Sequence, residues 1–240
     1  MERNEGRIQP IMRLGGYSES YIIRENSRAY DHGEADFRLK AAGSVLLVID
    51  MVDEFVKPHW SPFWVPEATA QVPRIRRLID GCREMGIPVI YTANAVHSRD
   101  MDVVRGSKHL PLFRVKREIM AQLFQKARIY DDLKPQPHEL VILKPTYDAF
   151  VGTRLDITLR NLGVDTVIIC GTMTNFCCGT TARSAYMHGY NVVVGSDATS
   201  SDLEELHSAE IRTLRRGFAM VSSVEEILSA LRSTSCEASG

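Results

Sequence analysis

Three residues have the most chemistry to offer: Asp50, Lys144 and Cys177. Asp50 ends the apolar run Ser44-Val45-Leu46-Leu47-Val48-Ile49, and Lys144 ends Leu140-Val141-Ile142-Leu143. Cys177 follows the loop Gly171-Thr172-Met173-Thr174-Asn175-Phe176, where a helical pattern begins. A cysteine at a helix N-terminus sits at the positive end of the helix dipole, which favours the nucleophilic thiolate. Unpaired backbone N–H groups in that first turn can hold a developing oxyanion. A neighbouring lysine favours the thiolate further. A neighbouring aspartate can take the thiol proton and hand it to a leaving amine. Singly, each residue has a plainer reading: Cys177 as core packing, Asp50 as a cap or ion-pair partner, Lys144 as a solvated lysine. Cys178 reads as packing. The joint pattern is what points to attack on a carbonyl carbon.

The surrounding elements are those that would bring the three together. Residues 44–50 form a continuous apolar run ending in a carboxylate, the pattern of a strand buried on both faces. Helical spacing follows over 68–85, with Gly86 as a stop signal. Further strands are expected at 87–92, 140–144, 166–170, 191–194 and 218–221. Helices are expected at 155–162, 177–188, 203–216 and 224–231, with a short one near 117–125 in the irregular stretch 93–137. Strands alternating with helices imply parallel pairing through right-handed crossovers. The expected fold is α/β, a three-layer α/β/α sandwich around a six-stranded, mostly parallel, Rossmann-like sheet. Ligands then bind beyond the carboxyl ends of the strands, where Asp50, Lys144 and Cys177 lie.

The chain has 240 residues, 44% hydrophobic and 25% charged, enough for one soluble domain with an appendage. We expect an N-terminal arm over 1–43, a catalytic domain over 44–232 and a flexible tail over 233–240. The arm carries Tyr17, Tyr21, Ile22, Ile23, Tyr30 and Phe37, which suits wrapping its own domain or a neighbouring subunit. A net charge of −1 offers no field for a polyanion, so no nucleic-acid partner is expected. No apolar run approaches bilayer-spanning length, and Met1–Arg7 lacks a signal-peptide core, so no membrane partner is expected either. Five cysteines at 82, 170, 177, 178 and 236 match no disulfide or zinc framework, which suggests a reducing, cytoplasmic setting.

Several segments resemble the isochorismatase-like cysteine hydrolases. Val48-Ile49-Asp50-Met51-Val52-Asp53-Glu54-Phe55 is similar to their opening motif, and Leu143-Lys144-Pro145-Thr146-Tyr147-Asp148-Ala149-Phe150 to their lysine motif. Cys170 to Ala185 resembles their nucleophile motif, and Gly189 to Ala198 continues it. The likeness covers about 44–231. It implies a catalytic triad of Asp50, Lys144 and Cys177, with Cys177 rather than Cys178 as nucleophile. It also implies a cis peptide between Thr172 and Met173, and an oxyanion hole formed by the N–H groups of Met173 and Cys177. Relatives commonly form dimers or tetramers, so a homodimer or homotetramer is expected.

The sequence also departs from that pattern. Val52 and Asp53-Glu54 stand where relatives often have Gln and Asn-Asp. Metal-containing nicotinamidases carry Asp-x-His after the second strand; this chain has Asn94 and Val96, followed by His97. The resemblance therefore implies no metal and no other cofactor, and sets nicotinamidase behind the ureidoacrylate, carbamoylsarcosine and biuret hydrolase branch. Asn94 and Tyr147, with Phe55 and Thr172, are candidate substrate contacts; Asn94 also reads as a turn residue. Trp60 and Trp64 suit either a pocket wall or a subunit interface. The expected activity is cleavage of a small amide, carbamoyl or ureido C–N bond through an acyl-cysteine. Arg114, Lys116, Arg117 and Arg128 suit a carboxylate-bearing substrate, or plain surface charge. Alternatives are a nicotinamidase-type amidase, an isochorismatase-type vinyl-ether hydrolase without covalent catalysis, and an inactive scaffold.

Overall fold

A computed structural model of the chain describes residues 16–28, 35–94, 109–111 and 128–237. The expected helix near 117–125 and the histidine at 97 lie outside the described residues. The chain divides into two compact units, Met1–Gly33 and Glu34–Gly240. In the first, Ser18 caps α1 (Glu19–Asn26) by accepting the Tyr21 N–H, and no residue of the helix is buried. The second unit begins before the expected boundary at residue 43. Leu39 is buried, and Phe37 and Ala41 pack on the core, because these apolar side chains find a face of the domain to cover.

The sheet is formed by β1 (Ser44–Ile49), β2 (Val89–Asn94), β3 (Leu140–Lys144), β4 (Thr166–Thr172), β5 (Asn191–Ser200) and β6 (Met220–Ser222). Its order is β3-β2-β1-β4-β5-β6, and every pairing is parallel. The helices of this unit are α2 (Asp53–Val56), α3 (Pro66–Glu84), α4 (Leu155–Asn161), α5 (Gly179–Met187), α6 (Glu204–Gly217) and α7 (Val224–Glu237). The last continues past residue 232, so the expected tail is helical to Glu237. Among the described residues, no helix is long and apolar enough to cross a membrane.

Strand alternation sorts the core into two layers. Leu46, Val48, Ile168 and Val193 face one cluster, with Ile75, Leu78 and Ile79 of α3 and Ile227, Leu228 and Leu231 of α7. Val45, Leu47, Ile49, Val167, Ile169 and Val194 face the other, with Leu155 and Leu159 of α4, Ala182 of α5 and Leu214 of α6. Every residue of β1 is buried, which explains its unbroken apolar run.

β5 corrects the expected end at residue 194. Gly195, Ser196 and Asp197 interrupt the apolar pattern, yet a register shift absorbs them. Pairing resumes as Gly171 with Thr199 and Thr172 with Ser200. Asp197 is turned to use: its Oδ1 accepts the N–H of Val224, the first residue of α7, at 2.8 Å.

The strand order reverses between β1 and β4, the place where such sheets open a crevice. The two strands approach very closely there. Gly171 has φ +122°, and a Cβ on it would lie 2.0 Å from the Ile49 carbonyl oxygen. Only glycine fits both constraints. Gly171→Ala is expected to cost at least about 3 kcal/mol, combining overpacking with backbone strain. Urea denaturation checks this; an unchanged midpoint would show that the strands are free to part.

Candidate active site

Asp50 leaves the end of β1 with φ +50°, a left-handed conformation tolerated more readily by Asp than by most residues. Its N–H bonds the Thr92 carbonyl at 3.1 Å, and its Oδ1 accepts the Thr92 hydroxyl at 3.2 Å. Lys144 ends β3 and is paired in register with Asn94, the last residue of β2. The lysine Nζ lies 2.7 Å from Asp50 Oδ2. The ammonium also donates to the Thr146 carbonyl at 3.0 Å and to Cys177 Sγ at 3.3 Å. Asp50 and Lys144 are both 0% exposed, and Cys177 is 5% exposed. Three side chains from three strand ends thus share one buried, polar point.

Cys177 does not open an α-helix, as its sequence position suggested. It lies in a wider π-helical turn, Thr174–Cys178, ahead of α5. The N–H groups of Phe176 and Cys178 both donate to the Met173 carbonyl at 3.1 Å. The turn is tied from outside: Thr174 Oγ1 lies 2.9 Å from His207 Nδ1 of α6, and Ser201 Oγ donates to Asn175 Oδ1 at 2.8 Å. The Thr172–Met173 peptide bond is cis.

The model for the isochorismatase domain matches residues 44–226 of this chain. The chain belongs to the isochorismatase family. Within this family's reach, Nicotinamidase 3 of Arabidopsis thaliana is 32% identical over 213 residues, 88% of this chain and 98% of its own. Ureidoacrylate amidohydrolase RutB of Methylobacterium radiotolerans is 31% identical, across 80% of this chain and 81% of its own. A cysteine hydrolase from Pseudomonas syringae pv. phaseolicola superposes with a TM-score of 0.76 at 26% identity, covering 84% of this chain and 98% of that one. Relatives in this family are named as an amidohydrolase and as a nicotinamidase.

The remaining site candidates of this isochorismatase-family chain fall into different surroundings. Asn94 is half-buried beside Lys144 in the sheet. Tyr147 is partly buried, with its ring 5.2 Å from that of Phe176. Burial, and then the negative charge Cys177 would carry, raise the Tyr147 phenol above its ordinary value. Thr172 Oγ1 instead donates to the Ser200 carbonyl at 3.5 Å, and Phe55 packs against the core cluster under α3. The Met173 side chain joins that same cluster. Trp64 donates its indole N–H to Thr69 Oγ1 at 2.8 Å. Among the described residues, no three His, Cys, Asp or Glu side chains converge to hold a metal ion.

Sequence reasoning passed over Thr92. It closes the strand expected over 87–92, so the rule that singled out Asp50 and Lys144 applies equally to it; in the structure it lies two residues before the end of β2. His207 was out of reach, because nothing in a helix pattern reveals which loop the helix braces.

Electrostatics bear on the expected thiolate. Burial first, and then the Asp50 carboxylate, push the Cys177 thiol well above its ordinary value, while Lys144 pulls the other way. For Lys144, burial opposes the charge, but Asp50 and the sulfur outweigh it and raise its value. Both directions favour the protonated forms, an ammonium beside a thiol, over the thiolate that a helix dipole alone would favour. Alkylation of Cys177 by iodoacetamide is expected to accelerate steadily from pH 7 to pH 10 without levelling off near neutrality. Asp50→Asn removes a raising influence, so it is expected to speed alkylation at pH 8. Peptide mass spectrometry of Cys177 checks both; a plateau near pH 7 would refute the protonated resting state.

The buried pair also sets stability. Lys144→Met leaves the Asp50 carboxylate without its counter-ion, at an expected cost of about 3–5 kcal/mol. Adding Asp50→Asn to Lys144→Met is expected to recover more than half of that loss. Chemical denaturation of the single and double variants measures it, and additive losses would contradict the pairing.

Proposed function

We propose that this chain is a cysteine amidohydrolase that cleaves the C–N bond of a small amide, carbamoyl or ureido substrate through an acyl-cysteine. The observation that carries the reading is the Lys144 ammonium, 2.7 Å from Asp50 and 3.3 Å from Cys177 Sγ, at the switch point of the sheet. Asp50 takes the thiol proton as sulfur bonds to the carbonyl carbon. The oxyanion is held by the N–H groups of Met173 and Cys177. Collapse of the adduct breaks the C–N bond, and protonated Asp50 gives its proton to the departing nitrogen. Asp50 then removes a proton from water, whose oxygen attacks the thioester carbon. The acid product leaves, and the proton held by Asp50 returns to sulfur. Lys144 keeps a positive charge beside whichever of the two partners is anionic.

Asn94 and Tyr147 are the side chains we assign to substrate contact, an amide and a phenol beside the reacting groups. Phe55 and Thr172 contribute shape and backbone, since their side chains are engaged elsewhere. The relative named as a ureidoacrylate amidohydrolase supports a ureido substrate. The relative named as a nicotinamidase supports a second reading, an aromatic primary amide. A reducing, cytoplasmic setting is supported by the unpaired Cys82, Cys170, Cys177 and Cys178. A homodimer or homotetramer completes the proposal.

A panel of ureides, carbamoyl amino acids, nicotinamide and simple primary amides, read by ammonia release, tests the activity. Cys177→Ala is expected to lower kcat/KM at least about a thousand-fold on the best substrate, as removal of a covalent nucleophile does. A variant retaining parental turnover would end the covalent proposal. Pyruvate release from isochorismate, without ammonia release from the panel, would replace it with vinyl-ether hydrolysis.

A further inference from the structure

One face of α6 runs through positions 207, 210, 211 and 214, the spacing of a helix stripe turned toward a core. Ile211 and Leu214 pack in the layer that holds Cys177 and Cys178, as that spacing asks. His207 and Glu210 share the stripe but are polar, and the Glu210 side chain is only 13% exposed. Polar groups on such a face need partners. His207 finds its partner at the turn that carries Cys177: its Nδ1 lies 2.9 Å from Oγ1 of Thr174, which opens the turn and is fully buried. Glu210 is paired with Arg183 of α5, which donates to both of its oxygens. That pairing lays the carboxylate against Gly179, the residue straight after the turn. A Cβ on Gly179 would collide with Glu210 Oε1 and lie 2.6 Å from the Thr174 carbonyl oxygen.

Two residues one helical turn apart on α6 thus grip the two ends of the Thr174–Cys178 turn. A π-helical turn is wider than the ordinary helix and persists where its surroundings hold it. Relaxation to ordinary pitch would change the direction of every side chain in it, Cys177 included. We propose that His207 and Glu210 are positioning residues for Cys177. They hold the wide turn from both ends, which keeps Sγ 3.3 Å from the Lys144 ammonium and Cys178 enclosed. Neither touches the reacting groups; both act through Thr174 and Gly179. The consequence for turnover rests on the acyl-cysteine reading, whereas the placement of sulfur does not.

The test is alkylation of the folded full chain by N-ethylmaleimide, read cysteine by cysteine by peptide mass spectrometry. Cys82 and Cys170 lie in the other core layer and report general loosening, while Cys177 and Cys178 report the turn. His207→Ala, Glu210→Ala and the isosteric Thr174→Val are each expected to speed labelling of Cys177 and Cys178 at least about five-fold, as local opening does, and to leave Cys82 and Cys170 unchanged. His207→Asn, whose amide can stand in the place of Nδ1, is expected to restore the parental pattern. On the best amide substrate the three loosened variants are expected to lose about ten-fold or more in kcat, with KM changed far less. Faster labelling of all four cysteines together would overturn the assignment, since that is plain destabilisation. Parental labelling of Cys177 and Cys178, an Asn variant no better than the Ala one, or a parental kcat would each overturn it as well. A parent chain that releases no ammonia from any amide would sink the acyl-cysteine reading, and the labelling would still decide what holds the sulfur.

Discussion

A single ammonium group, sealed from solvent between a carboxylate and a sulfur, governs this structure. Lys144 is fully buried, and three of its neighbours, Asp50, the Thr146 carbonyl and Cys177 Sγ, account for its charge and its donors. A charge in such a place is tolerated only when compensated on every side. That demand fixes much else. β3 must run two residues past the level where β1 ends, with β2 between them, and the loop after β4 must deliver sulfur to the third side. The sheet order and the close passage of Gly171 past Ile49 are how the backbone meets that requirement.

The same arrangement sets two influences against each other at the proposed nucleophile. Burial and Asp50 push the Cys177 thiol up, while Lys144 pulls it down. A neutral thiol is less open to oxidants and metals than a thiolate. Thr92 takes part by donating to Oδ1 of Asp50, which leaves Oδ2 facing the ammonium.

Much of this was legible in the sequence, for identifiable reasons. The runs at 44–49, 140–144 and 166–170 are buried on both faces or end at the site, so their apolar continuity and their terminal residues carried the information directly. β5 was cut short because its polar Gly195-Ser196-Asp197 step reads as an end, whereas a register shift hides it inside the strand. Residues 35–41 were assigned to an arm because their packing depends on a distant surface that no local pattern encodes. The π-helical turn escaped for a related reason: its residues have ordinary helical character, and only tertiary ties to His207 and Ser201 set its width. Cys236 belongs to α7.

The wide turn gives the two adjacent sulfurs opposite fates. Cys177 Sγ lies 3.3 Å from an ammonium, while Cys178 is wholly enclosed in the apolar layer above β4. Deleting one residue between Met173 and Cys177 would put the neighbouring thiol in the present one's place beside the ammonium, and the present one in the half-buried place of Phe176 next to Tyr147. Loop length, rather than the identity of either cysteine, decides which of these two chemically equal atoms meets the ammonium.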